Sequence, residues 1–70
     1  MKISEFTVPE LKRLEQGCNF TALEMQCFKL KAKDCTNVEL AMKLNISEST
    51  VSVTMRKVRS KITRLLEWSD

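Results

Sequence analysis

The spacing Thr-x-x-Glu occurs three times in this 70-residue chain, at 7–10, 21–24 and 36–39. In such a capping box the threonine hydroxyl and the glutamate carboxylate satisfy free backbone N–H groups in the first turn of a helix. Each box is followed by apolar residues at helical spacing. The boxes therefore predict three helix starts and constrain the chain to a largely helical fold.

Other residues mark where the predicted helices end. Gly17 stops the first, and Asn45 lies where a helix commonly ends in a left-handed residue. Ser47 is predicted to cap a fourth helix. The sequence shows no strand alternation, internal repeat or low-complexity stretch, so we predict an all-α fold of about four helices in one domain, 1–70. The predicted helices are 8–16 (accessory), 22–33 (first core helix), 36–44 (scaffold helix) and 47–66 (recognition helix).

The fourth predicted helix has two different faces. At 100° per residue, Val51, Met55, Val58 and Ile62 form one narrow apolar stripe, which Leu65 and Leu66 extend. The opposite face carries Ser49, Ser52, Val53, Arg56 and Ser60, flanked by Lys57, Arg59 and Arg64. We expect the stripe to face the core and the opposite face to be small, polar and cationic.

The formal net charge of +3 is distributed unevenly. Residues 1–50 carry seven basic and seven acidic side chains, whereas residues 51–70 carry five basic and two acidic ones. The basic residues are Arg56, Lys57, Arg59, Lys61 and Arg64. Such a cluster suits a polyanion such as nucleic acid, although on charge alone an ordinary solvated helix face is the better interpretation.

Five hydroxyl side chains between residues 47 and 54 precede this cluster. Short side chains let a helix backbone approach base edges in the major groove, and the basic residues beyond them can reach bases or phosphates. Any one of Ser49, Ser52, Thr54 and Ser60 could simply face water, but the set favours DNA binding. A short helix, a brief turn and a longer helix together predict a helix-turn-helix.

The chemical inventory argues against other functions. Three cysteines without a C-x-x-C pair and without any histidine predict neither a zinc site nor a disulfide framework, and we expect Cys18, Cys27 and Cys35 to act as small hydrophobes. No catalytic constellation, cofactor motif, small-molecule site, signal peptide or membrane-spanning run is evident. We expect a cytoplasmic protein that is not an enzyme and needs no cofactor or metal.

The stretch TNVELAMKLNISESTV, residues 36–51, resembles the LuxR/GerE pattern [ST]-N-x-E-[IL]-A-x-x-L-x-[IV]-S-x-x-T-V at every fixed position. FTALEMQCFKLKAK, residues 20–33, is similar to the first helix of that family. The resemblance covers residues 20 to about 62, and a gapless sixteen-residue pattern is specific.

The resemblance implies a double-stranded DNA-binding transcription regulator. Thr36 and Asn37 would approach a phosphate, and Ser52, Val53 and Arg56 would face bases and backbone. Structural roles are implied for Leu40, Ala41, Leu44, Ile46, Ser47 and Val51. These implied contacts are combined with the residues on the outer face of the fourth predicted helix. The candidate DNA-binding set is then Thr36, Asn37, Ser49, Ser52, Val53, Arg56, Lys57 and Ser60.

Two departures from the family pattern leave an alternative open. Ser52 replaces a common lysine, and the sequence ends after KITRLLEWSD without the family's pairing helix. That ending resembles region four of bacterial sigma factors, which implies a module docking on RNA polymerase or another regulator through Leu65, Leu66 and Trp68. A homodimer, through the N-terminal helix or the Trp68 end, also stays open.

Overall fold

The computed structural model describes residues 2–68, with side chains described for residues 2–67. A short 3-10 helix, Ile3–Glu5, precedes four α-helices. These are α1 (Val8–Gly17), α2 (Ala22–Ala32), α3 (Asn37–Leu44) and α4 (Glu48–Trp68). The described residues form helices and connecting turns only, which confirms the predicted all-α fold.

The helix ends form through the predicted local contacts. All three capping boxes are complete; in that of α3, Glu39 N–H donates to Thr36 Oγ1 at 3.2 Å and Thr36 N–H donates to Glu39 Oε1 at 3.0 Å. Asn45 follows α3 in the left-handed region, with φ of 56°. Ser47 Oγ accepts the N–H of Thr50 at 3.1 Å and so caps α4. Each of the four helices therefore starts on a side-chain cap close to it in sequence.

The centre of the fold is the apolar stripe of α4. Val51, Met55, Val58 and Ile62 are each at most 1% exposed. They lie in one core with Ile3, Leu14, Cys18, Cys27, Phe28 and Leu40. Since α4 packs against α1, α2 and α3, it is the element around which the others assemble.

The C-terminal end of α4 differs from the predicted stripe, because Leu65 is half-buried while Leu66 is 47% exposed. α1 approaches α4 closely here: a Cβ atom at Gly17 would lie 2.8 Å from Leu65 Cδ2. Gly17 therefore leaves room for the Leu65 side chain, whereas the left-handed residue that follows α1 is Asn19, with φ of 54°, and not Gly17.

The 3-10 helix was not predicted, since three residues are too few to show a period. Its Ile3 is 4% exposed, and the element packs on α2. Nowhere in the described chain is a helix both long and apolar enough to cross a membrane.

Candidate nucleic-acid interface

A three-residue turn, 45–47, joins α3 to α4. The N–H groups of Asn45 and Ile46 both donate to the carbonyl of Ala41, the latter at 3.1 Å, so the turn folds back on the end of α3. Leu40 of α3 is fully buried in the core that α4 shares. These contacts fix the short helix against the long one.

The face of α4 opposite the buried stripe is exposed. We call it the outer ridge and define it as Ser49, Ser52, Val53, Arg56, Lys57 and Ser60, all exposed. Val53, although apolar, is 49% exposed. Among the described side chains, neither Arg56 nor Lys57 takes part in an ion pair. The structure thus brings six of the eight candidate residues onto one accessible surface.

The dense hydroxyls at the start of α4 divide into two groups. Ser47 and Thr50 bond to each other, with their hydroxyl oxygens 2.9 Å apart. Thr54 is 6% exposed and donates its hydroxyl to the carbonyl of Thr50 at 2.7 Å. The alternative that this hydroxyl faces water is therefore wrong for Thr54, because its position around the helix borders the buried stripe. Ser47, Ser49, Thr50 and Ser52 are all exposed, but only Ser47 and Thr50 use their hydroxyls in hydrogen bonds among the described residues, which leaves those of Ser49 and Ser52 to solvent.

The other two candidate residues, Thr36 and Asn37, lie at the start of α3. The capping box already uses the Thr36 N–H and one acceptor position of its hydroxyl. Hydrogen bonding from the Thr36 backbone lowers the pKa of Glu39, which keeps a negative charge at this helix start. The half-buried Asn37 has its Oδ1 enclosed, without a hydrogen-bond partner among the described residues. A role for these two residues toward phosphate stays a prediction.

Lys61 differs from the other basic residues of α4 because its ammonium is bound within the fold. Its ammonium bonds Glu24 Oε1, and its Nζ lies 3.4 Å from the carbonyl oxygen of Asn19. Glu24 is 5% exposed, and its pKa is lowered chiefly by the hydrogen bond from Lys61. Lys61 therefore does not belong with the basic residues that could meet a polyanion, because its ammonium ties α4 to the start of α2. Nothing in the local sequence signals this contact across 37 positions.

The cysteine side chains lie largely inside the fold. Cys18 and Cys27 are buried, and burial raises the pKa of both thiols. Cys35 is half-buried, with its Sγ 3.8 Å from Lys43 Nζ. In the described part of the chain no group of three or more His, Cys, Asp or Glu residues is placed to hold a metal ion.

A short helix locked to a longer one, which exposes a polar and cationic face, defines a helix-turn-helix. The chain matches the family model GerE, "Bacterial regulatory proteins, luxR family", over residues 19–64. The match spans 46 of the 70 residues, so the chain belongs to this family. Membership implies a DNA-binding helix-turn-helix transcription regulator. No curated protein and no solved structure matches the chain.

The matched segment contains α2, α3 and α4 up to Arg64, and leaves out the 3-10 helix and α1. It does not favour the alternative of a module that docks on RNA polymerase. That alternative relied partly on Trp68, whose side chain lies outside the described residues.

Proposed function

We propose that this protein is a sequence-specific regulator of transcription that inserts the N-terminal half of α4 into the major groove of double-stranded DNA. The observation that carries the proposal is the outer ridge, exposed along three turns of the second helix of a helix-turn-helix. Family membership supports the same partner. Since bacterial DNA lies in the cytoplasm, we place the protein there.

Along α4, the ridge residues follow one another in an order that fits the major groove, with small side chains first and a long cationic one after them. Ser49 and Ser52 are small, so the backbone of the first turns can lie close to the base edges. The exposed methyl groups of Val53 suit contact with a thymine methyl group. Arg56 follows one turn after Ser52, and its guanidinium suits either a guanine edge or a phosphate. Sequence preference would come from these contacts.

The test is binding to duplex DNA at a series of salt concentrations. Each phosphate neutralised should steepen the slope of log K against log salt by about 0.9, so several contacts give a steep dependence. Selection of bound duplexes from a random pool should then return a shared motif. The proposal fails if no duplex is bound, or if binding persists but selected and random duplexes are bound equally.

We also propose that the chain binds DNA as a homodimer. One recognition helix covers few base pairs, and helix-turn-helix dimers bind two half-sites about 34 Å apart. Sedimentation of the complex with a selected duplex should show two chains, and the selected motif should be a repeat at about one helical turn. A single chain on a single, non-repeated motif would contradict the dimer while leaving DNA binding intact.

A further inference from the structure

A cationic groove continues the outer ridge into the second half of α4, as far as Arg64, which is outside the candidate set. Ser60 lies in this open groove, which Arg56, Lys57, Lys61 and Arg64 line. Lys61 directs its ammonium to Glu24, so it is neutralised within the fold. The charges left for a ligand are those of Arg56 and Lys57 on one side of Ser60 and Arg64 on the other.

Arg64 lies on the same face of α4 as Val53. The two are eleven positions apart, which at about 100° per residue is three turns and about 20° more. At 1.5 Å per residue the separation along the axis is about 16 Å. Arg64 is exposed, and no ion pair to it occurs among the described side chains. Glu67, one turn further on and also exposed, is the nearest acidic residue in sequence.

The length of α4 decides which part of a bound duplex the C-terminal half of the helix can contact. α4 has 21 residues and is therefore about 31 Å long. The major groove is about 12 Å wide, and it curves around the duplex while a helix continues straight. With the first turns of α4 at the base edges, the second half must leave the groove at the level of the sugar-phosphate backbone.

We propose that Ser60 and Arg64 form a phosphate clamp, in which one backbone phosphate of the bound duplex lies over Ser60, between Arg64 and the Arg56–Lys57 pair. The guanidinium of Arg64 donates to the phosphate oxygens from one side, and the hydroxyl of Ser60 donates from below. The small Ser60 side chain leaves room for the phosphate between longer neighbours. This proposal rests on the proposed function, since it needs α4 to enter the groove, and it fixes how far along α4 the DNA contact extends.

The test compares Arg64→Gln with Arg59→Gln. Both arginines are exposed on α4 and both changes remove one positive charge, but Arg59 lies about 140° around the helix from Arg64. Binding of a selected 20-base-pair duplex, about two helical turns long, is followed by fluorescence anisotropy at several salt concentrations. Arg64→Gln should make the log-log slope shallower by about 0.9 and Arg59→Gln should leave it near the wild-type value. Arg64→Lys, which keeps the charge, should restore the slope.

Neutral methylphosphonate replacements at single phosphates then locate the contact. At one position the replacement should weaken binding by wild type and by Arg59→Gln more than binding by Arg64→Gln, because the latter has already lost the Arg64 contact with that phosphate. Urea unfolding of each variant checks that the fold is unchanged.

The outcomes separate this proposal from the proposed function. If the wild type binds duplex DNA and Arg64→Gln keeps its slope, or if both glutamine variants reduce the slope equally, the clamp is wrong while groove binding stands. If the wild type shows no salt-dependent binding to any duplex, both fail.

Discussion

The two faces of α4 share one backbone and differ in what surrounds them. The inner stripe is at most 1% exposed and packs within the core, whereas the outer ridge is exposed along its whole length. The inner stripe holds the helix in place, and the outer ridge presents short and cationic side chains from that fixed position. Stability and DNA affinity should therefore be separable by substitutions only one or two residues apart.

The largest effect is expected on the inner face, from Ile62→Ala. Ile62 is fully buried, and removing its side chain leaves a cavity that should cost about 2 to 5 kcal/mol of unfolding free energy. A domain of this size has only about 3 to 10 kcal/mol in total, so the variant should be partly unfolded or close to it. Urea unfolding followed by circular dichroism measures the loss.

The matched control lies two residues away on the outer face. Ser60→Ala alters an exposed position in the same helix and should change the unfolding free energy by no more than about 0.5 kcal/mol. A loss for Ser60→Ala comparable with that for Ile62→Ala would mean that the two faces are not distinct.

Two ion pairs among the described residues extend the comparison to charged groups. In the outer pair, Lys29 Nζ lies 3.3 Å from Glu15 Oε1, and the two side chains are 59% and 33% exposed. In the inner pair, Lys61 and Glu24 are 34% and 6% exposed. Glu24→Gln should cost about 1 to 3 kcal/mol, because it weakens a charge-assisted hydrogen bond at a buried site. Glu15→Gln should cost at most about 1 kcal/mol.

The ion pair of Glu24 with Lys61 also predicts that the free energy of unfolding depends on pH. Because the folded pKa of Glu24 lies below its ordinary value of 4.5, its contribution to stability is present above that value and is lost as the pH falls through the folded pKa. Glu10 and Glu39 have lowered pKa values as well, owing to their capping boxes. Between about pH 7 and about pH 3, wild type should thus lose more stability than Glu24→Gln, which should still lose some. Parallel losses in urea unfolding would show that the Glu24 carboxylate, with its bonds to Lys61 and to the Thr21 backbone, contributes nothing to this pH dependence.

On the outer ridge, Arg56→Ala should change affinity and leave stability within about 0.5 kcal/mol of wild type. If Arg56 contacts a base, the loss should be about 1 to 3 kcal/mol of binding free energy, with relaxed preference at one position of the selected motif. Uniform weakening across sequences, with a shallower salt slope, would instead assign Arg56 to a phosphate. Unchanged affinity and preference would remove Arg56 from the interface.

Features set by neighbours in sequence could be predicted, and features set by tertiary contacts could not. The three capping boxes, the left-handed Asn45 and the inner stripe follow from spacing within one helix, and the structure confirms them. The Lys61 contact with Glu24 joins two elements distant in sequence, and no local pattern signals it. Which ridge residues meet bases or phosphates depends on how the duplex docks, so those roles stay predictions.

The smallest effect is expected at Thr54, which lies at the border between the two faces. Thr54→Val keeps the shape of the buried side chain and removes only the hydroxyl that bonds the Thr50 carbonyl. We expect a change of about 1 kcal/mol or less in unfolding free energy, and no change in DNA affinity. Ser52→Ala, two residues away, should leave stability unchanged and alter affinity or preference, because Ser52 is exposed on the ridge. If Thr54→Val weakened DNA binding as much as Ser52→Ala, the Thr54 hydroxyl would have to turn outward in the complex, and the border between the two faces would lie elsewhere.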